Sequence, residues 1–132
     1  MINEESISNW KTEHFLGYLY LTISYADCIL LKEEIEMAET KLGNFLSLKY
    51  PEAIQLPSPI ISELILEIKH HTNNEKYDLI KSLAQKFHFD QDMVTEIISD
   101  LADIVSVDDV VDLEEHKALA RIRGIFHNEL YE

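Results

Sequence analysis

Glycine and proline are scarce in this chain. Three of each occur in 132 residues, too few for the many tight turns of an all-β protein. Hydrophobic residues make up 46% of the sequence, which is enough to form the core of one ordinary domain. The composition therefore predicts a single all-α domain over residues 1–132.

Cysteine is almost absent. A single residue, Cys28, occurs, so an intramolecular disulfide is excluded and a secreted disulfide scaffold is not expected. Acidic neighbours, Asp27 and Glu33, disfavour the low thiol pKa that a catalytic cysteine needs. We therefore expect Cys28 to be a small buried or half-buried side chain.

Basic residues are outnumbered. The chain has 11 Lys and Arg against 25 Asp and Glu, a net charge of −14. Such a surface repels phosphate backbones, so we expect neither nucleic-acid nor anionic-membrane binding. It suits cations or a basic partner protein, and it also suits solubility alone. From Asp90 to Glu132, 12 acidic residues accompany only three basic ones, Lys117, Arg121 and Arg123.

Long hydrophobic runs are missing as well. The longest apolar stretch, Phe15–Ala26, has about half the length of a membrane-spanning helix. Residues 1–5 are acidic and lack the pattern of a signal peptide. We expect a cytoplasmic protein without membrane insertion.

Apolar residues spaced three and four apart predict about six helices in an antiparallel bundle. The second half of the first helix is apolar on nearly every side, which is typical of a central helix. Ser58 before Pro59 predicts the start of the third helix, and Asp90 predicts the cap of the fifth. The predicted helices run from about Ser8 to Asp27, Lys32 to Leu48, Pro59 to the region His70–Asn74, Glu75 to Phe87, Gln91 to Ser106 and Leu113 to Leu130.

The most acidic stretch lies between the last two helices, in residues 107–115, which we call the second corner. It carries five carboxylates, namely Asp108, Asp109, Asp112, Glu114 and Glu115. A fainter copy between the first two helices, residues 26–34, is the first corner. The copies match at an offset of 81 residues, so that Asp27 corresponds to Asp108 and Glu34 to Glu115. The repeat makes these two helix–loop–helix corners the strongest candidates for function.

Helix capping explains part of the second corner. Asp112 and Glu115 have the spacing of a capping box, which contributes about 1 kcal/mol to helix stability. Capping does not explain Asp108 or Asp109. The hypothesis of a ligand site therefore depends on the carboxylates that capping leaves over.

The first corner keeps its carboxylates without the cap. Leu31 stands where Asp112 stands in the second corner, yet Asp27 and Glu34 remain, seven residues apart. A loop that reverses direction can bring such a pair together, and hard carboxylate oxygens suit a divalent cation such as Ca²⁺, Mg²⁺ or Mn²⁺. The pattern is not an EF-hand, because valines occupy positions 110 and 111. The candidate metal ligands are Asp108, Asp109, Asp112, Glu115, Asp27 and Glu34.

These two stretches, Ala-Asp-Cys-Ile-Leu-Leu-Lys-Glu-Glu and Val-Asp-Asp-Val-Val-Asp-Leu-Glu-Glu, resemble the repeated Ala-Asp-Gly-x-Ile-Asp-x-x-Glu motif of TerB-like tellurite-resistance proteins. The same domain resembles one found beside a J-domain in some membrane-tethered co-chaperones. The resemblance implies an all-α fold with pseudo-symmetric halves and an acidic surface proposed to hold divalent cations.

The chain departs from that motif at three positions. Cys28 and Asp109 stand where the family has glycine, and Leu31 replaces its second aspartate. Glycine permits a positive φ, which cysteine tolerates poorly and aspartate somewhat better. We therefore expect the second corner to be the better cation site.

Other candidate residues have plainer explanations. His70 and His71 are adjacent and point in different directions on a helix, so we expect surface or helix-end histidines rather than a metal cluster. His88, His116 and His127 are interpreted in the same way. The aromatic residues of the first helix are expected in the core. They are Trp10, Phe15, Tyr18, Tyr20 and Tyr25.

Three functions remain open. The first is a non-enzymatic interaction module that responds to divalent cations, in a tellurite-resistance or stress setting that the resemblance implies. The second is a metal-independent domain that docks a basic partner protein. The third is a metal-dependent hydrolase, which would need further ligands and an open coordination position beside Asp108 and Glu115. The sequence supplies no base or nucleophile for the third.

Overall fold

The computed structural model describes residue 10 and residues 12–25, 32–49, 57–87, 89–105 and 113–131. These residues form six α-helices and no strand, which confirms the predicted all-α class. The helices are α1 (Thr12–Ser24), α2 (Lys32–Lys49), α3 (Pro57–Ile68), α4 (Asn73–Phe87), α5 (Gln91–Val105) and α6 (Leu113–Tyr131). None of the six combines the length and apolar character needed to cross a bilayer.

Helix α1 is the centre of the bundle, as its sequence predicts. It contacts each of the other five helices, and its residues from Phe15 to Ser24 are all buried. The hydroxyls of Thr22 and Ser24 bond within the helix. Thr22 donates to the Tyr18 carbonyl at 2.8 Å, and Ser24 donates to the Tyr20 carbonyl at 2.9 Å. A helix without a polar face is stable only when neighbours cover every side.

Gly17 allows α1 and α3 to approach closely. A Cβ atom at this position would lie 2.7 Å from Leu64 Cδ1 and 3.3 Å from Ile61 Cδ1. Because these distances are shorter than normal van der Waals contacts, any side chain here would push against α3.

The other helices bury one stripe each. Phe15 packs against rings from α4, from the α4–α5 connection and from α6. Its ring lies 5.7 Å from Phe87, 5.6 Å from Phe89 and 6.3 Å from Phe126. The buried stripe residues are Ala38 and Leu42 in α2; Ile60, Ile61, Leu64 and Ile68 in α3; Leu79, Ile80, Leu83 and Ala84 in α4; Val94, Ile97, Leu101, Ile104 and Val105 in α5; and Ala118, Ile122 and Phe126 in α6.

Three helix starts differ from the prediction. Helix α1 begins at Thr12 rather than Ser8, and Trp10 lies outside it. Helix α3 begins at Pro57, before the expected Ser58 cap, because proline lacks an N–H and is tolerated throughout a first helical turn. Helix α4 begins at Asn73 rather than Glu75, since Thr72 is its cap. The Glu75 N–H donates to Thr72 Oγ1 at 3.2 Å, and the Thr72 N–H donates to Glu75 Oε1 at 2.8 Å. This is a capping box.

The remaining starts agree with the prediction. Asp90 caps α5, accepting the Met93 N–H at 2.8 Å. Helices α2 and α6 begin at Lys32 and Leu113, which are 81 residues apart. Their preceding helices, α1 and α5, end at Ser24 and Val105, at the same offset. Both corners therefore connect consecutive helices through seven residues.

Candidate cation-binding corners

The structure describes two of the six predicted metal ligands. Glu34 and Glu115 are each the third residue of their helix, α2 and α6 respectively. The other four, Asp27, Asp108, Asp109 and Asp112, lie outside the described residues. The coordination predicted for the six residues together remains a prediction.

Both described carboxylates are buried. Glu34 has 1% and Glu115 has 3% of its surface exposed, whereas the preceding residues, Glu33 and Glu114, are exposed. Glutamate is seldom buried in proteins, because removing a carboxylate from water is costly without a compensating interaction. Each of the two has a polar or electrostatic interaction in the structure. The repeat in sequence is thus accompanied by a repeat in side-chain environment.

The start of a helix is a favourable position for Glu34 and Glu115. A glutamate at the third helical position can accept the N–H of the cap residue, and the positive end of the helix dipole favours its charge. A capping glutamate can do this from the surface, as Glu75 does beside Thr72. Burial of both Glu34 and Glu115 is therefore a feature that capping does not require.

Other helices of the bundle connect the helices that carry the two corners. Helix α1 contacts α2, α5 and α6, and α5 contacts α2 and α6. In the described part of the chain, α2 and α6 share no extensive packing of their own. The two glutamates therefore belong to helices that are held in place by the same central pair, α1 and α5.

An ion pair also links α2 to α5. Lys41 Nζ lies 2.6 Å from Asp103 Oδ2 and 3.5 Å from Asp100 Oδ1, and the Tyr20 hydroxyl is 3.4 Å from Asp100 Oδ2. Partial burial raises the pKa of Asp100, and Lys41 counteracts this rise. The pair Asp100 and Asp103, which lies off the apolar stripe of α5, thus has a structural role.

No ready-made metal centre lies within the described residues. Residues 10, 12–25, 32–49, 57–87, 89–105 and 113–131 contain no group of three or more His, Cys, Asp or Glu side chains that could hold an ion. Glu34 and Glu115 can each supply carboxylate oxygens, which suit hard divalent cations. Any further ligands at the corners would come from the four aspartates.

Of the two interpretations of His71, the helix-end position is confirmed and the surface position is wrong. This side chain is buried, and its Nδ1 lies 2.6 Å from the Tyr18 hydroxyl. Glu67 Oε2 lies 3.7 Å from Nε2, which favours the proton on Nε2, so Nδ1 accepts from Tyr18. His70, His116 and His127 are exposed, as expected. Sequence periodicity gives no signal for a contact between residues 53 positions apart.

The chain has no recognisable relative in three comparisons. No protein-family model, curated protein or solved structure matches it.

Proposed function

We propose that the protein is a non-enzymatic interaction module whose two acidic corners bind divalent cations, in the manner that its resemblance to TerB-like proteins implies. The observation that carries the proposal is the burial of Glu34 and Glu115 at equivalent positions of the two corners. A cytoplasmic role in tellurite or stress resistance is part of the same proposal and comes from the resemblance.

The physical argument concerns the cost of buried charge. A carboxylate withdrawn from water is stabilised by a nearby cation, and divalent cations such as Ca²⁺, Mg²⁺ and Mn²⁺ prefer oxygen ligands. Each buried glutamate follows an aspartate by seven residues, Asp27 in the first corner and Asp108 in the second. The second corner, with Asp109 and Asp112 in addition, has more charge with which to attract an ion.

Calorimetric titration of the full chain with Ca²⁺, Mg²⁺, Mn²⁺ and Zn²⁺ tests this proposal. We expect saturable heat with at least one of the first three ions. Combined Asp108→Asn and Glu115→Gln substitution should weaken binding at least tenfold, because it removes two charges from the second corner while preserving side-chain size.

A matched control removes two charges elsewhere. Glu63 and Asp78 are exposed on α3 and α4, so Glu63→Gln with Asp78→Asn should leave the titration unchanged. Equal weakening by both double variants would mean that only the net charge attracts ions, and absence of heat in the wild type would reject the cation site.

The second candidate function is docking of a basic partner without any metal. It is supported by exposed acidic residues on two packed helices, Glu33 and Glu36 on α2 and Asp92 and Asp103 on α5. Binding of a lysine-rich peptide that weakens steeply with salt but is unaffected by a chelator would favour this function. Binding that requires a divalent cation would favour the first.

A further inference from the structure

A cationic pocket lies on this acidic protein, between the C-terminal half of α1 and the first turns of α4 and α6. Its volume is about 170 Å³. Its lining combines three basic side chains with polar groups and one carboxylate. The lining residues are Thr22, Asn73, Lys76, Tyr77, Glu114, Lys117, Ala118 and Arg121.

The charge of the lining is opposite to that of the molecule. Three of the 11 basic residues of the chain, Lys76, Lys117 and Arg121, meet here, and Glu114 is the one acid among the described lining residues. The whole chain carries −14. Lys117 and Arg121 are also two of the three basic residues that follow Asp90, so the few cations of the C-terminal region are concentrated at one place.

Aromatic rings contact two of the three basic side chains. Arg121 lies over Tyr77, with its guanidinium carbon 3.9 Å from the ring centroid. Lys76 has 3% of its surface exposed, and its Nζ is 4.9 Å from the centroid of the Tyr25 ring. The cation–π contact orients Arg121 without neutralising its charge. Arg121 therefore keeps guanidinium N–H groups that can donate to an anion.

The start of α4 contributes further positive potential. Asn73 is the first residue of α4, whereas the start of α6 carries the acidic residues of the second corner. Early backbone N–H groups of a helix carry the positive end of the dipole. The α4 start and the basic groups of Lys117 and Arg121 together favour an anion.

The size of the pocket and its hydrogen-bond donors favour one kind of anion. The pocket has room for several water molecules and therefore for a small oxyanion. Guanidinium and ammonium donors match the oxygens of phosphate, and a doubly charged anion gains more than a carboxylate from Lys117 and Arg121. Glu114 is paired with Lys117 at 3.4 Å, which leaves the lining with a net positive charge.

We infer that this pocket is a binding site for a phosphate group, either free phosphate or a small phosphate monoester. The inference does not rest on the cation binding proposed for the corners, although Glu114 belongs both to the second corner and to the pocket lining.

Backbone amide NMR of the full chain tests the inference. Inorganic phosphate should cause saturable shifts in the first turn of α4 and around Lys117 and Arg121. Sodium chloride at the same ionic strength and pH should not, and acetate should bind at least tenfold more weakly. Phosphoserine is the second arm. Tighter binding of phosphoserine than of phosphate would identify a monoester as the ligand, and the reverse would identify the free anion.

Substitutions locate the site. Arg121→Gln and, separately, Lys117→Gln should each raise the phosphate Kd at least tenfold. Arg123→Gln is the matched control, since it removes the same charge from an exposed position on the same helix and should change Kd less than twofold. Lys117 has a side chain that is 73% exposed, so its substitution tests the site without disturbing the core.

Three results would show that the pocket is not a specific anion site. They are absence of a saturable shift with either phosphate compound, equal shifts with chloride, and equal loss of affinity in Arg121→Gln and Arg123→Gln. Equally tight binding of acetate would reject the phosphate assignment.

Discussion

His71 differs from its neighbour His70 because only one of the two is withdrawn from water. Its Nδ1 is 2.6 Å from the hydroxyl of Tyr18, a residue that is itself fully buried in α1. Burial lowers the pKa of His71, and the nearby carboxylates of Glu67 and Glu75 only partly counteract this effect. A proton on Nδ1 would also remove the acceptor that Tyr18 uses. The folded protein therefore favours the neutral ring.

The stability of the protein should consequently fall in mild acid. An unfolded histidine takes up a proton near pH 6.5, whereas His71 in the folded state takes it up at a lower pH. The unfolded state then binds more protons as the pH drops below about 6.5, so the free energy of unfolding decreases by up to about 1.4 kcal/mol per pH unit. Denaturant unfolding between pH 7.5 and 5.5 measures this slope.

Comparison of two variants separates His71 from the other titrating groups. His71→Gln should reduce the slope, because glutamine does not titrate. His70→Gln should leave it unchanged, since His70 is exposed. Equal slopes in the two variants would show that His71 does not carry the pH dependence.

Individual residues also show how much of the structure could be predicted from the sequence. The sequence correctly predicted that Tyr18 and Tyr20 lie in the core, because a helix that is apolar on every side must be covered on every side. It could not distinguish His71 from His70, because the difference arises from a partner 53 residues away. Such contacts depend on how two helices cross. The residue spacing within a single helix does not determine that crossing.

Helix α4 shows at the element scale how local chemistry sets a boundary. The reciprocal hydrogen bonds between Thr72 and Glu75 begin the helix at Asn73, and the bond from the Thr72 N–H lowers the pKa of Glu75. The Thr-x-x-Glu signal is present in the sequence and could have given the correct start. Its neighbours, the asparagines at 73 and 74, resemble a loop by composition.

The Thr72 cap should have a measurable contribution to stability. Thr72→Ala should lower the free energy of unfolding by about 1 kcal/mol, because it removes the acceptor of the Glu75 N–H. Thr40→Ala is the control. Thr40 is exposed within α2 and donates only to the Glu36 carbonyl, so its change should stay within about 0.5 kcal/mol. Denaturant unfolding of both variants makes the comparison, and similar losses would contradict the role of the cap.

Gly17 and Gly124 should respond oppositely to alanine. A Cβ at Gly124 meets nothing within 4 Å, so Gly124→Ala should stabilise α6 by about 0.5–1 kcal/mol through helix propensity. A Cβ at Gly17 would lie 2.7 Å from Leu64 Cδ1. Overpacking costs about 1–3 kcal/mol, so Gly17→Ala should give a net loss of up to about 2 kcal/mol.

Thermal and denaturant unfolding of the glycine variants provide the measurement. Stabilisation by both substitutions would show that α1 and α3 can separate without cost. The close approach could not be predicted from the sequence, because a glycine inside an apolar helix is equally consistent with simple tolerance. The apolar stripes of α3 to α6 were predictable, since their spacing depends on a single helix.

The described charged residues are distributed unevenly. Most of the acidic ones are exposed or half-buried, whereas Glu13, Glu34 and Glu115 are buried. Lys41 stabilises the acidic face that joins α2 and α5. Lys76, Lys117 and Arg121 instead line one pocket.

The candidate corners illustrate the limit of the sequence at this scale. The repeat predicted Glu34 and Glu115 as equivalent residues, and the equal offsets of the flanking helix ends agree with that prediction. The sequence could not show that both are buried, because carboxylates at helix starts usually face water. Nor could it reveal the pocket, whose basic residues come from two helices, at positions 76, 117 and 121.

Equilibrium dialysis of the full chain against Ca²⁺, Mg²⁺ and Mn²⁺ tests the cation-binding claim most directly, because it counts bound ions. The buffer should contain about 0.15 M sodium chloride, which screens diffuse attraction by the net charge of −14. We predict that at least one ion remains bound per chain, and that the Asp108→Asn, Glu115→Gln variant loses it. Retention of no ion by the wild-type chain, or equal retention by this variant, would contradict the account.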